Sequence, residues 1–373
     1  VVELAKLEAN LKLLKRVQDE SGAKILLALK GFSMYGVFNL VKKYLGGTTS
    51  SGLNEALLAR EYFGGEIHVY SPAFEKTEAE SLARFAHTLV FNSQSQIERF
   101  ADFAREVAKR NGNADIELGL RVNPEHAEVE TAIYNPCAPL SRLGSLRSQI
   151  DFEKILPSID GLHFHAMCEQ NSDVLERVLA AFEEHFADII KKVRWVNFGG
   201  GHHITRADYD VEKLIGLVKS FYKRYPNIEQ IYLEPGEAIA LNSGVFVAKV
   251  LDIHHNAGDI AILDTSATCH MPDVLEMPYR PKVYGAGLAG EKKFDYMLAG
   301  RSCLAGDRIG IYSFDAPLKA GDRLVFADMA HYTMVKTTTF NGVNLPDIAT
   351  WDAASKKLQV LKTFGYEDFK ARI

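Results

Sequence analysis

The sequence predicts an α/β fold followed by an all-β one: a (β/α)8 barrel of the TIM type over residues 1–240, then a C-terminal β domain over 241–373 that the first residues can join. Three observations lead there. Short apolar runs alternate with amphipathic segments eight times in roughly the first 240 residues, which a closed parallel barrel needs and a six-stranded open sheet would leave partly unused. Beyond Glu234 the texture changes to short β-type runs with Gly and Asp turns and little helical periodicity. No internal repeat or low-complexity segment interrupts either half.

Taken in order, leucines at 4, 7, 11, 13 and 14 among Lys and Glu predict a helix that ends near Ser21-Gly22. The run Ile25-Leu26-Leu27-Ala28-Leu29 is a buried strand that stops abruptly at Lys30-Gly31. Helix over Phe38–Tyr44, strand Thr48–Ser51, helix Asn54–Phe63, strand Ile67–Tyr70 and helix Thr77–Phe85 follow. Then come strand Thr88–Phe91, helix Gln94–Ala108, strand Ile116–Val122 and an irregular stretch to about Ser148. Strand Leu162–His165, helix 174–190, strand Val193–Phe198, helix 209–225 and strand Ile231–Leu233 complete the eight units. The β domain is predicted from Val245–Ile253, Ile260–Leu263, Asp295–Ala299, Ile309–Tyr312 and Arg323–Ala327.

Composition narrows the function. With 47% apolar and 24% charged residues the chain reads as an ordinary globular protein, and a net charge of -5 without any basic stripe argues against nucleic acid as a partner. Four cysteines, Cys137, Cys168, Cys269 and Cys303, lie far apart, which fits neither a disulfide framework nor a zinc site and favours a reducing cytoplasm. No apolar run approaches a bilayer's thickness and no signal-peptide pattern opens the chain, so no membrane partner is expected.

In a barrel every strand's C-terminal end faces one mouth, so the chemistry is read from strand ends. Strand one ends at Lys30, five at Arg121, six at His163 and His165, seven at Gly199-Gly200-Gly201 and eight at Glu234. A lysine there is a nucleophile, or a surface amine lying along the strand end. Three glycines let backbone N–H groups approach an anion, or form a tight turn. His163 and His165 share one strand face and could be two metal ligands of a barrel hydrolase, or one core and one mouth histidine. His202-His203 and His254-His255 are read as structural. Glu234, pinned by Pro235-Gly236, needs a cation or a protonated heterocyclic nitrogen if it is buried. In the β domain, Gly300–Asp307 holds Cys303 and Asp307 in a glycine-bounded loop, and Tyr332 offers a phenol.

The order of these features resembles the pyridoxal-phosphate decarboxylases of the alanine-racemase-type fold, over essentially the whole chain. That family includes ornithine, diaminopimelate and carboxynorspermidine decarboxylases. Ala28-Leu29-Lys30-Gly31-Phe32, His163-Phe164-His165-Ala166-Met167-Cys168-Glu169-Gln170 and Asp273-Val274-Leu275-Glu276-Met277-Pro278-Tyr279-Arg280-Pro281 are most similar to its carboxynorspermidine/carboxyspermidine branch. Two departures from the ornithine pattern agree with this: Glu237 replaces an arginine after Glu-Pro-Gly, and Cys168 replaces a serine after the stacking histidine.

The resemblance implies pyridoxal 5'-phosphate as cofactor, held covalently by Lys30, stacked by His165 and paired at its ring nitrogen by Glu234. It implies that Gly200, Gly201 and Tyr332 hold the phosphate and that Arg121 supports the ring. Cys303 would return a proton after loss of carbon dioxide, offered with Asp307 across a homodimer interface. A carboxylated polyamine needs acidic partners, for which Glu237, Asp273 and Asp307 are the candidates. The expected product is norspermidine or spermidine, made in the cytoplasm. The alternatives are a diaminopimelate or basic amino-acid decarboxylase of the same fold, an amino-acid racemase, a cofactor carrier and the metal-dependent hydrolase.

Overall fold

The computed structural model describes residues 1–373. Eight parallel strands close into a barrel in chain order: β1 (Lys24–Ala28), β2 (Gly47–Ser50), β3 (Glu66–Tyr70), β4 (Thr88–Phe91), β5 (Glu117–Arg121), β6 (Gly161–His163), β7 (Trp195–Asn197) and β8 (Gln230–Leu233). Pairing of Lys24 with Tyr232 and Ile25 with Leu233 closes the ring. Burial on both faces is what makes β1 read as an unbroken apolar run, since Ile25 to Ala28 are all buried. The outer helices are amphipathic for the complementary reason. In Gln94–Arg110, Ile97, Phe100, Ala101, Ala104 and Val107 face the barrel, and Ser93 caps the helix by accepting from the Gln96 N–H.

The barrel floor is filled by side chains. Trp195 is buried with Leu26, Val90 and Tyr232, and its indole occupies the space beside Gly119 and Gly161 on the next strands. A Cβ at Gly161 would stand 2.0 Å from Trp195 Cδ2, so the bulk on β7 requires glycine on β6.

Two local readings are revised. The expected helix over Phe38–Tyr44 is a single turn, Phe38–Val41, after a 3-10 turn at Tyr35–Val37. The one expected over Asn54–Phe63 runs as Leu53–Leu58 and then widens into a π turn, Ala59–Phe63.

The chain divides into two compact units, Ala9–Ile239 and a second made of Val1–Glu8 with Ala240–Ile373. The second unit contains β9 (Val245–His255), β10 (Asp259–Leu263), β11 (Phe294–Ala299), β12 (Arg308–Phe314) and β13 (Arg323–Ala327), in the sheet order β12-β11-β10-β9-β13. A further sheet, absent from the sequence reading, joins Val2–Glu3 to β14 (Ile348–Asp352) and β15 (Lys357–Lys362). All six residues of β15 are exposed, so no buried face marks it in the sequence. No helix is long and apolar enough to cross a membrane.

Candidate active site

The carboxyl end of the barrel opens into a cavity lined by Lys30, Arg121, His163, His165 and Glu234, with Thr49, Ser50, Ser51, Tyr70 and Ala28. Lys30 is placed there by a tight turn. The Gly31 N–H donates to the Ala28 carbonyl at 3.1 Å, and the turn packs so closely on Pro235-Gly236 that a Cβ at Gly31 would lie 2.9 Å from Gly236 Cα. The ends of β1 and β8 therefore interlock, which fixes Lys30 and Glu234 in one mouth.

Glu234 is 9% exposed and anchored from two sides. Asn197 Nδ2 donates to its Oε1 at 2.7 Å, and His163 Nε2 stands 3.3 Å from its Oε2. Asn197 is itself held, because its Oδ1 accepts the Gly199 N–H at 2.8 Å. Burial alone would push the Glu234 carboxyl up; His163, Asn197 and the more distant His68 outweigh it and bring the pKa below the ordinary carboxylate value. Burial lowers His163, with Glu234 pulling the other way. The pair thus presents a fixed negative charge at the cavity wall.

Lys30 lines the cavity with its side chain accessible from the opening. Its ammonium is pulled below the usual lysine pKa, first by loss of bulk solvent and then by Arg121, with Glu234 opposing. Exposure of the side chain at the opening moderates that drop. His165 is lowered further, by desolvation and then by the charges of Lys30 and Arg121, so its imidazole is neutral. The Gly200 N–H donates to His165 Nδ1 at 2.7 Å, which places the ring proton on Nε2.

That hydrogen bond ties the glycine triplet to His165. The Gly200 amide, expected to face a phosphate, donates here to His165 and orients its ring. Gly201 reaches the loop after β6 instead, its carbonyl accepting from the Gln170 N–H at 3.0 Å. Arg121 Nη2 donates to the His165 carbonyl at 3.2 Å, its guanidinium lies 4.4 Å from the Tyr70 ring centre, and its Nε has no hydrogen-bond partner.

The remaining candidates lie elsewhere. Glu237 follows the Pro235-Gly236 turn, its Oε2 3.1 Å from His203 Nε2. In the second unit, Cys303 is exposed and its N–H donates to Asn341 Oδ1 at 2.8 Å. Tyr332 occupies a left-handed turn with φ of 48°. Asp273 pairs with Lys336, which also reaches Glu276 at 3.1 Å. Asp307, expected at a polyamine's far end, is 3% exposed. Its Oδ1 accepts the Ala267 N–H at 2.7 Å and its Oδ2 the Ser302 hydroxyl at 2.6 Å, so both oxygens brace the loop that carries Cys303.

Sequence reasoning missed Thr49, Ser50, Tyr70 and the role of Asn197. A signal existed for the first two: β2 is a polar strand, Gly47-Thr48-Thr49-Ser50, that is buried throughout. Hydroxyls in such a strand need a purpose, and the Ser50 hydroxyl has no partner within the protein.

The chain as a whole is similar to known decarboxylases. The family model described as "Pyridoxal-dependent decarboxylase, C-terminal sheet domain" matches residues 33–330. A carboxynorspermidine/carboxyspermidine decarboxylase of Campylobacter jejuni is 47% identical, over 100% of this chain and 97% of that protein. A carboxyaminopropylagmatine decarboxylase of Synechocystis is 42% identical, over 100% of this chain and 94% of that one. Among solved structures, carboxynorspermidine decarboxylase from Campylobacter jejuni complexed with norspermidine superposes with a TM-score of 0.89 at 44% identity, covering 100% of this chain and 98% of that one.

Proposed function

Because the chain belongs to the pyridoxal-dependent decarboxylases with a C-terminal sheet domain, we propose that it binds pyridoxal 5'-phosphate and removes the carboxylate of carboxynorspermidine or carboxyspermidine, yielding norspermidine or spermidine and carbon dioxide. The observation that carries this is one cavity shared by the Lys30 amine, the His165 ring and the Glu234 carboxylate.

These residues fit the cofactor. A pyridoxal ring asks for an amine at its aldehyde, a flat partner for its face and an anion at its ring nitrogen. Lys30, His165 and Glu234 offer one each, and the unpartnered Ser50 hydroxyl and Arg121 Nε are available to a polar ligand. When bound, the cofactor supplies an electron sink for the pair left behind by carbon dioxide. The protein's part is positional and electrostatic. Glu234, held charged by Asn197 and His163, keeps a proton on the ring nitrogen. Neutral His165 stacks without repelling that proton, and Lys30, with its lowered pKa, spends part of the cycle as a free amine. Gly200, Gly201 and Tyr332 are the phosphate contacts in this reading, and Cys303, exposed on its loop, returns the proton to the substrate carbon from a second copy of the chain.

Substrate choice rests on the relatives and on acids. A diaminopimelate enzyme should present a cation for the second carboxylate, whereas Glu237, where an arginine is usual, favours an amine-bearing tail. The Synechocystis relative supports a second reading, a carboxylated aminopropyl agmatine, whose tail ends in a guanidinium. Carbon dioxide release from carboxynorspermidine, carboxyspermidine, carboxyaminopropylagmatine, diaminopimelate and ornithine separates these. The highest kcat/KM is expected for the first two. A clear preference for the agmatine derivative selects the second reading, and one for diaminopimelate or ornithine sinks both.

A further inference from the structure

We infer that Asn341 is a positioning residue for proton return: its side-chain amide sets the direction in which the Cys303 thiol is presented. The inference rests on the reading of Cys303 as proton donor given above, and names the residue through which that thiol is aimed. Cys303 sits in an exposed loop, where backbone amides are ordinarily left to water. Here five consecutive amides are bound by protein. The Gly300 N–H donates to the Asp307 carbonyl at 2.9 Å and the Arg301 N–H to the Thr265 carbonyl at 3.0 Å. The Ser302 N–H donates to Asp307 Oδ2 at 3.2 Å, the Cys303 N–H to Asn341 Oδ1 at 2.8 Å and the Leu304 N–H to the Ser302 hydroxyl at 3.4 Å.

Asn341 supplies the one side-chain acceptor from outside the loop, and it takes the amide of the reactive residue itself. A bond to that N–H fixes the peptide plane before Cys303, hence its φ and the direction of its Cα–Cβ bond. The acceptor therefore decides where Sγ points.

The turn that carries Asn341 is built to hold still. Asn341 has φ of 56° and ψ of 18°, a left-handed conformation that asparagine tolerates better than most residues. Three contacts pin the turn around it. The Thr338 N–H donates to the Cys269 carbonyl at 2.8 Å, His270 Nε2 stands 3.0 Å from the Asn344 carbonyl, and Arg372 Nη1 donates to the Thr339 hydroxyl at 2.7 Å. Cys269 and His270 belong to the single helical turn Ala267–His270, whose Ala267 N–H donates to Asp307 Oδ1 at 2.7 Å. One short element thus braces the Cys303 loop through Asp307 and the Asn341 turn through Cys269 and His270. An exposed hydrogen bond adds little to folding, whereas a proton donor has to be placed to within about 0.5 Å.

The step served is a proton transfer. The Cys303 S–H bond breaks, a C–H bond forms with the electron pair left behind by carbon dioxide, and the thiolate takes a proton back from water. A thiol aimed from one side delivers to one face of that carbon. In heavy water the product carbon then carries one deuterium of a single handedness.

The test is decarboxylation of carboxynorspermidine in heavy water by the wild-type holoenzyme, Asn341→Gly, Asn341→Asp and Cys303→Ala, reading kcat, KM and the enantiomeric purity of the deuterated norspermidine. Asn341→Gly keeps the left-handed backbone and removes the acceptor, and Asn341→Asp keeps an acceptor oxygen. In Asn341→Gly, kcat is expected to fall about tenfold or more with KM within about twofold, and the handedness to be lost. Asn341→Asp should recover kcat to within about threefold of wild type and return a single-handed product. Hydrogen exchange of the peptide carrying the Cys303 amide reads the bond without turnover: it should quicken about fivefold or more in Asn341→Gly, with β9 and β13 unchanged. Quickening throughout β9 and β13 would assign Asn341 to holding the second unit together and overturns the inference. Native kcat and handedness in Asn341→Gly, or no recovery in Asn341→Asp, overturns it as well and leaves the donor reading standing. Native turnover and handedness in Cys303→Ala, or mixed handedness from the wild type, defeats the donor reading itself.

Discussion

Asn197 donates to Glu234 at 2.7 Å while accepting from the Gly199 N–H at 2.8 Å, so one buried amide aligns the carboxylate of β8 and the glycine turn after β7. Its two ends cannot be exchanged, because the donor and acceptor sides are both used. Asn197→Leu leaves a buried N–H and a buried carboxylate without their partner, at a cost of roughly 2–4 kcal/mol in unfolding free energy. The expected kinetic effect is about a tenfold fall in kcat or more. The pH profile carries the diagnostic. Glu234 has a lowered pKa in the folded protein, so its charge, and the stability it confers, is present above the ordinary carboxylate pKa and is lost as pH falls through the folded value. Losing Asn197 raises that folded value, and the acidic limb of kcat against pH should move upward. An unshifted limb would show that Asn197 does not tune the carboxylate.

Lys30 should behave as an unusually reactive amine in protein stripped of cofactor. Burial and Arg121 lower its pKa, so the neutral form is populated at lower pH than on surface lysines. Peptide mapping after brief treatment with an amine-directed reagent near neutral pH should find Lys30 labelled ahead of residues such as Lys43 or Lys223. Addition of pyridoxal phosphate should protect it. Labelling no faster than at the surface would mean that cavity water solvates the ammonium fully.

Two glycines separate packing from propensity. Gly161→Ala drives a methyl into Trp195 and should destabilise the barrel by about 1–3 kcal/mol, or more if the indole cannot shift. Gly216 lies inside the helix Val211–Arg224, and a Cβ there meets nothing within 4 Å. Gly216→Ala should stabilise by about 0.5–1 kcal/mol. Urea melts of the two variants should move in opposite directions.

Asp307 offers a test of a brace against a binding group. Asp307→Ala removes the acceptor of the Ala267 N–H and the Ser302 hydroxyl, and should cost about 1–3 kcal/mol in the stability of the second unit. The expected kinetic change is in kcat, through a loosened Cys303 loop. A selective rise in KM for the longer carboxyspermidine would instead restore Asp307 as a contact for the tail.

Much of the barrel was legible because burial on both faces writes itself as apolar runs of the right length, as in Ile25–Leu29. The strand-end residues Lys30, Arg121, His165 and Glu234 were legible because topology alone brings strand ends together. Bonds between loops were not. The Gly200 amide to His165 and the Arg206 guanidinium to His203 depend on chain paths that no local pattern encodes. The strand Lys357–Lys362 escaped for a different reason: its exposed face gives alternation nothing to mark.

Trp195, wedged against Gly119 and Gly161, stoppers the barrel beneath the cavity. The barrel interior therefore offers no passage past the indole, and the cavity is reached from the carboxyl ends of the strands. On the proposed function, a product would leave by the mouth its precursor entered, and product inhibition competitive with substrate is the expected outcome in initial-rate kinetics.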